Sequence, residues 1–509
     1  PTMRGLVVPL ENSIAGWIVT NRQAVRIDDA HKDKRAAIAH AWGHSGLAVA
    51  MTSFTTAAGL LSFSTAEVAP IGDLGIFAGG GVILSLLYTL ILLPALLSIL
   101  PVKAKTDDKA QNRTQLMDNI LLGIASLSVN HSRKILVVSA VLFVVAVGGV
   151  AQTTFKHDPL KWLPEEWDVR KATELLDVEM KGTGVLEVVV NTGKENGLYE
   201  PRIMNALNTL HSRIDAIKQD DIFVGKTISV VDILKESNRA LHQNKESSYT
   251  VPADRELIAQ ELLLFENSGS DDLEDFVDSQ FSMARFTVKT PWVDAASNAR
   301  FIKTLEQEFG NAFNQGESFY VTGMGSLFSR VMDASIESTK KSYVIAGVVI
   351  CIMMIMMLGS TKLGLVSMIP NLLPILISMG FMGYFHMPLD QFSMLIGSIS
   401  VGLVVDDTIH FMHNFRRYHL KFNDVNRAIQ ETLLSTGRAI LVTTVVLCLG
   451  FFIFTAASME NLIRFGLVTG ITIILALLCD LLLAPALMKV MYEGKNPDGG
   501  KSELAKETL

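Results

Sequence analysis

The chain carries apolar runs far longer than a soluble core can use, in residues 47–100, 134–152 and 343–490, with charge sparse inside the runs and concentrated in short connections such as Arg416–Arg438. A helix needs about 20 consecutive apolar residues to cross the hydrocarbon core of a bilayer. On that rule eight spans are expected, at 47–64, 72–100, 134–152, 343–359, 363–385, 392–414, 438–457 and 462–488. A further stretch, 5–20, is a poor stand-alone span because Pro9, Glu11 and Asn12 interrupt it. Composition agrees: 49% hydrophobic and 19% charged residues over 509 positions is too apolar for an ordinary soluble protein. Residues 154–341 are the exception and read as a soluble, acidic domain, so the chain alternates between two solvents.

That domain accounts for much of the net charge of −7, which disfavours nucleic acid as a partner. Its strand-like runs, such as Val185 to Asn191, Ile228 to Val231 and Phe286 to Thr290, alternate with helical patterns at 201–218, 254–267, 295–309 and 326–340. The alternation predicts an α+β domain of two βαβ-like subdomains. Cys351, Cys448 and Cys479 all fall within expected spans and far apart, so no disulfide framework or thiolate metal site is supported. Residues 1–20 lack the basic start and small-residue site of a cleavable signal peptide.

Orientation follows from the basic loops around Arg22–Arg35, Lys103–Lys134 and Arg416–Arg438, which should be cytoplasmic. Counting spans from them places 154–341 outside and the tail, 491–509, inside. Residues 101–133 then form a cytoplasmic linker, with an amphipathic interfacial helix over 114–131.

Pro485-Ala486-Leu487 follows Pro94-Ala95-Leu96 at a distance of 391 residues, and the same ungapped offset pairs Ala37 with Ala428, Ile38 with Ile429, Gly46 with Gly437, Thr52 with Thr443, Gly59 with Gly450 and Phe63 with Phe454. Gly75-x-x-x-Gly79 and Gly466-x-x-x-Gly470 also correspond, which puts a close helix-packing face at the same place in both copies. Both copies follow a basic loop, so they cross in the same direction as a parallel repeat about an axis along the membrane normal. The complete half runs from 134 to about 488, and residues 1–100 read as the remnant of the other. That half would need on the order of 260 residues before Pro1, so the chain reads as truncated at its N-terminus.

Within an otherwise apolar span the sequence reads Gly402-Leu403-Val404-Val405-Asp406-Asp407-Thr408-Ile409-His410. An Asp at a helix centre costs about 2.5–3.5 kcal/mol even on lenient insertion scales, so intramembrane carboxylates mark function by default. Two neighbouring carboxylates that repel each other in lipid are suited to taking up and releasing protons. His410, one turn on, adds a second titratable group, although it could also be a polar residue at the interface. The alternative for the pair is an anchor near a helix end, bound to Arg416 or facing water. Thr443 and Thr444 in the next span, and Thr52, Ser53, Thr55 and Thr56 in its counterpart, could pass a proton or simply pack. Pro370, Asn371 and Pro374 predict a kink or unwound turn nearby.

At these residues the chain resembles the resistance-nodulation-division superfamily, and most of all its hydrophobe and lipid exporter branch, the MMPL-like and Patched-related proteins. Gly402-x-x-x-Asp406-Asp407 resembles that family's G-x-x-x-D-D signature, Ile369-Pro370-Asn371-Leu372-Leu373-Pro374 its kinked helix, and Leu92-Leu93-Pro94-Ala95-Leu96-Leu97 with Leu483-Ala484-Pro485-Ala486-Leu487 its repeated last span. The resemblance implies a polytopic α-helical protein with an extracytoplasmic porter domain in each half, exporting lipids or other hydrophobic molecules from the inner membrane by proton antiport. Asp406, Asp407, His410, Thr443 and Thr444 would form the proton relay, with Gly402, Pro370, Asn371 and Pro374 shaping the helices. At the 391 offset the carboxylates are replaced by Ala15 and Gly16, a departure from the family pattern. The porter domain also lacks room for the docking insertion of the drug-efflux branch.

The expected partners are therefore protons, a hydrophobic or lipid substrate and membrane lipid, with homo-oligomerisation left open. No nucleophile triad, metal cluster or phosphate loop is present, so neither an enzyme nor a cofactor is expected. The competing reading is a sterol-sensing-like regulator that binds ligand without coupled flux; two titratable groups in lipid favour transport.

Overall fold

The computed structural model describes residues 34–66, 69–99, 108–219, 221–269 and 271–493. The doubtful span 5–20 lies outside them. The described chain opens with α1 (Lys34–Leu61), a 3-10 turn (Ser62–Thr65), α2 (Ala69–Leu87), a π-helical turn (Tyr88–Leu92) and α3 (Leu93–Ile99). After these come α4 (Asp108–Asn130) and α5 (Ser132–Val150). The amphipathic α4 buries Leu121 and Ala125 against the bundle, and its Asp118 pairs with Arg438. That contact ties the segment before α5 to the helices that close the chain.

Between α5 and the later membrane helices lies the extramembrane domain. Its elements are α6 (Asp168–Glu179), β1 (Gly184–Asn191), α7 (Pro201–Asp215), the short β2 (Lys218–Gln219), β3 (Ile222–Phe223) and β4 (Lys226–Ser229), α8 (Val230–Leu241), α9 (Arg255–Glu266), β5 (Met283–Thr290), α10 (Ala295–Ala312) and β6 (Ser318–Thr322). β1 and β5 alternate buried and half-exposed residues, as sheets covered on one face do. The four-stranded sheet has the order β4-β5-β1-β6, and every neighbouring pair is antiparallel. β1 and β4 therefore run the same way with β5 between them, and β5 and β6 the same way with β1 between them. These are two interlocked split βαβ units, the ferredoxin-like arrangement. The two separate subdomains expected from the sequence are replaced by one four-stranded sheet, beside the short β2–β3 ribbon, and one core, in which Leu186, Val188, Phe286 and Val288 pack under Leu207, Leu210, Phe301 and Phe309. Alternating strand and helix patterns could not reveal that a strand from each unit inserts into the other.

The chain then returns to apolar helices: α11 (Met324–Leu358), α12 (Thr361–Tyr384), α13 (Gln391–Phe422), α14 (Val425–Phe452) with a 3-10 turn (Ile453–Ala456), α15 (Glu460–Leu478), a π-helical turn (Cys479–Leu483) and α16 (Ala484–Glu493). Among the described residues seven helical segments are long and apolar enough to cross a membrane, and the protein is a polytopic helical membrane protein. The expected eighth, 47–64, runs from α1 into the 3-10 turn, and α1, though long enough, is not among the helices apolar enough to cross. The soluble helix expected at 326–340 and the span at 343–359 are one 35-residue helix, α11. Pro370 and Pro374 lie inside a continuous α12, with no unwound turn. α13 is the central helix, packed against α1, α11, α12, α14 and α15.

The segments 34–99 and 425–493 share element boundaries at the 391-residue offset: helix, 3-10 turn, helix, π turn and helix begin at corresponding residues in both. Their glycines also meet corresponding atoms. A Cβ on Gly75 would fall 2.8 Å from the Leu60 carbonyl oxygen, and one on Gly466 2.5 Å from that of Phe451. Elsewhere α5 and α12 cross so closely that a Cβ on Gly383 would lie 1.9 Å from the Gly149 carbonyl oxygen. Small residues let helix backbones approach where lipid provides no hydrophobic drive for association.

Candidate functional site in the helix bundle

Asp406 and Asp407 stand midway along the 32-residue α13, away from either end. The anchor reading placed them near a helix end, bound to Arg416 or facing water. That guanidinium instead donates to the carbonyl of Leu358, at the end of α11. His410 follows Asp406 by one helical turn, with Nε2 3.6 Å from Asp406 Oδ1. The His410 and Asp406 side chains are 27% and 44% accessible, although Asp406 Oδ1 itself is buried.

Hydroxyls from two different helices approach the two carboxylates. Thr52 of α1 faces Asp406, and Thr443 of α14 faces Asp407. Thr52 and Thr443 are the residues paired by the 391 offset, and their hydroxyls donate to corresponding carbonyls one turn back, Val49 and Ile440, both at 2.9 Å. Gly402 lets α1 come close: its carbonyl accepts a 3.3 Å hydrogen bond from Thr56 Oγ1, and a Cβ on Gly402 would lie 3.6 Å from the Thr56 backbone. Thr444 points elsewhere and is buried with no hydrogen-bond partner for its hydroxyl. The expected relay thus brings together Asp406, Asp407, His410 and Thr443, and leaves Thr444 outside.

The prolines and Asn371 serve a different contact. Asn371 is 2% exposed, and its Nδ2 donates to the Ser367 carbonyl at 2.9 Å. That fixes the amide so that Oδ1 faces Thr408 Oγ1, 2.6 Å away. The same hydroxyl lies 2.5 Å from Asp480 Oδ1. Asp480 is fully buried, and its neighbouring charged groups are Asp407 and Asp406. The sequence reading missed this carboxylate. The signal was present, because Asp480 interrupts an apolar span by the same rule that singled out Asp406; the doubled acid drew attention away from the single one.

Asp480 is the second residue of the π turn Cys479–Leu483. A π turn leaves a carbonyl off the usual ladder, and here Ser128 Oγ of α4 lies 3.2 Å from the Leu481 carbonyl and 2.9 Å from the Ile124 carbonyl of its own helix, with one hydrogen to give to either. Among the described residues no group of three or more His, Cys, Asp or Glu is placed to hold a metal ion. What the arrangement can do chemically is bind and release protons at carboxylates bordered by hydroxyls.

A family model describing the MMPL family matches residues 26–148 and 164–503, most of the chain. The chain belongs to the MMPL family. Membership agrees with the motif resemblance around Asp406 and Asp407 and makes this a transporter-like membrane protein. The chain is also similar to "Putative membrane protein MJ1562" of Methanocaldococcus jannaschii, 22% identical over 389 residues that cover 74% of this chain and 95% of that protein. Most of the site lies within the second MMPL match, while Thr52 and Thr56 come from the first.

Proposed function

We propose that this MMPL protein moves lipids or other hydrophobic molecules across or out of the cytoplasmic membrane, driven by protons entering through Asp406 and Asp407. The observation that carries this reading is the adjacent carboxylate pair at the middle of α13, each member faced by a threonine from one of two helices with matching boundaries. A passive ligand sensor has no use for such a pair, whose burial costs several kcal/mol. His410 would tune the relay from one turn away. In this reading 34–99 and 425–493 are related halves of a duplicated bundle, the basic loops are cytoplasmic, and the extramembrane domain is the extracytoplasmic porter domain. An open cleft of about 900 Å³, lined by Met51, Met356, Met357 and Leu358 together with Arg416 and Lys421, offers flexible apolar surface suited to an acyl chain.

The test is transport in vesicles with an imposed pH gradient. Asp407→Asn keeps the shape of the side chain but cannot release a proton, so the proton-driven rate should fall at least tenfold while the protein stays folded. The drive is adequate, since one charge crossing 100 mV yields about 2.3 kcal/mol. Parental rates in an Asp406→Asn/Asp407→Asn double variant would sink the proposal.

A further inference from the structure

The hydrogen count around Thr408 does not close with ionised carboxylates. Its hydroxyl has one hydrogen, yet it sits 2.6 Å from Asn371 Oδ1 and 2.5 Å from Asp480 Oδ1. Asn371 Oδ1 is an acceptor only, because Nδ2 is committed to the Ser367 carbonyl. If Asp480 were a carboxylate, two acceptors would compete for one hydrogen, and one oxygen pair would meet lone pair to lone pair at contact distance. With a proton on Asp480 the chain runs without conflict: Asp480 donates to Thr408, Thr408 to Asn371, and Asn371 to Ser367.

Burial points the same way. Asp480 is 0% exposed, and its Oδ2 has no hydrogen-bond partner. An ionised carboxylate in that position would cost several kcal/mol, whereas a neutral carboxyl forgoes one weak acceptor. Oxygen pairs at 2.5 and 2.6 Å are hydrogen-bonded neighbours. They leave no space for a metal ion between them.

We propose that Asp480 is a third proton-carrying carboxylate of the bundle, protonated in this conformation and exchanging its proton with Asp407. This deepens the relay reading above and rests on it for the exchange step. In that step the O–H bond of Asp480 breaks and one on the Asp407 carboxylate forms, so charge moves from Asp407 to Asp480. The Thr408 hydrogen then turns to the new carboxylate, and Asn371 Oδ1 loses its donor. One proton transfer thereby breaks a link between α13 and the proline-bearing α12. The groups that set the balance are Asp407 and Asp406 on α13, Asn371 and Ser367 on α12, and Ser128 on α4 beside the π turn. The corresponding position in the first segment is Thr89, whose hydroxyl is exposed and returns to the Ser85 carbonyl, so only the second segment has this group.

Infrared spectra of the purified full chain in lipid nanodiscs, taken in H2O and D2O at neutral pH, detect a protonated carboxyl by a carbonyl stretch separate from carboxylate bands. The parental protein should show that band, Asp480→Asn should lose it, and Asp407→Asn should keep it. Thr408→Val retains the carboxyl but removes its partner, so the band should move to higher frequency, while Thr408→Ser should leave it in place. These two variants also decide the matter if Asp480→Asn does not fold. In pH-driven vesicles Asp480→Asn, which preserves the link to Thr408, should lower the rate at least tenfold and flatten its pH dependence. Identical spectra for the parental protein and Asp480→Asn, or no response to Thr408→Val, overturn the proposal. If Asp407→Asn blocks transport but no Asp480 band exists, this inference fails alone. If the band is present and Asp407→Asn transports normally, the relay reading fails, and with it the exchange step.

Discussion

Two buried hydrogen-bond networks, one in the extramembrane domain and one in the helix bundle, each turn on a threonine hydroxyl, and they close differently. In the domain, His211 Nδ1 lies 2.7 Å from Thr227 Oγ1, Thr227 donates to Asp215 at 2.8 Å, and His211 Nε2 lies 2.8 Å from Ser229 Oγ. A neutral imidazole with its proton on Nδ1 satisfies every member, and Asp215 reaches water. In the bundle, Thr408 lies between two acceptors, and Asp480 is sealed from solvent. The first network is complete as built and needs no further proton. The second is complete only with one, which is what separates a structural network from one able to carry protons.

That contrast can be broken or sharpened in four steps. The largest effect on stability is expected for His211→Leu, which fills similar space but leaves buried hydroxyls without their partner; the loss should be about 1–3 kcal/mol, read as a lower unfolding temperature of the full chain in detergent. Little or no change would mean that the domain network is dispensable. Titrating the same imidazole should cost part of that amount. Burial pushes the pKa of His211 below its ordinary value despite the attraction of Asp232, and burial does the same to His157 despite Asp390. A histidine with a lowered folded pKa binds fewer protons folded than unfolded, so its contribution is present above the ordinary value of about 6.5 and is lost as pH falls below it. Unfolding temperatures at pH 7.5 and 5.5 should therefore differ in the parental protein and differ less in His211→Leu.

A neutral intramembrane pair should matter less again. Thr472 and Ser378 hydroxyls lie 2.7 Å apart between α15 and α12, and Thr472→Val should cost about 0.6 kcal/mol, the average for such bonds in lipid. A loss as large as that of His211→Leu would show that hydroxyl pairs in the bundle are stronger than this ordering allows. Smallest of all is Thr89→Val, since the exposed Thr89 bonds only within its own helix; an unchanged unfolding temperature is expected, and a large drop would assign the first π turn a role like that of the second.

Much of the fold was legible in the chain because lipid imposes a length and an apolarity on each helix. The runs at 134–152 and 363–385 correspond closely to α5 and α12. The offset of 391 residues, read from pairs such as Thr52 and Thr443, anticipated element boundaries that coincide at that distance. The ends of helices were less legible, because α13 and α14 continue into polar residues that composition assigns to loops. The site was partly legible. Asp406 and Asp407 declared themselves by cost, whereas Asp480, a lone acid, gained meaning only beside Thr408 and Asn371, which are far from it in sequence.

The sequence by itself determined that this is a membrane protein with carboxylates in its interior, because hydropathy and the cost of burying charge are local properties of a segment. It also marked the strands at Val185 to Asn191 and Phe286 to Thr290, whereas the run Ile228 to Val231 is divided between β4 and α8 and β6 was not anticipated. Only the tertiary structure decided that those strands interlock in one antiparallel sheet, that Thr443 rather than Thr444 faces Asp407, and that Asp480 shares a hydroxyl with the proline-bearing helix. Those outcomes depend on which faces of distant segments meet, and the position of a single hydrogen depends on the whole set of acceptors that packing brings around it.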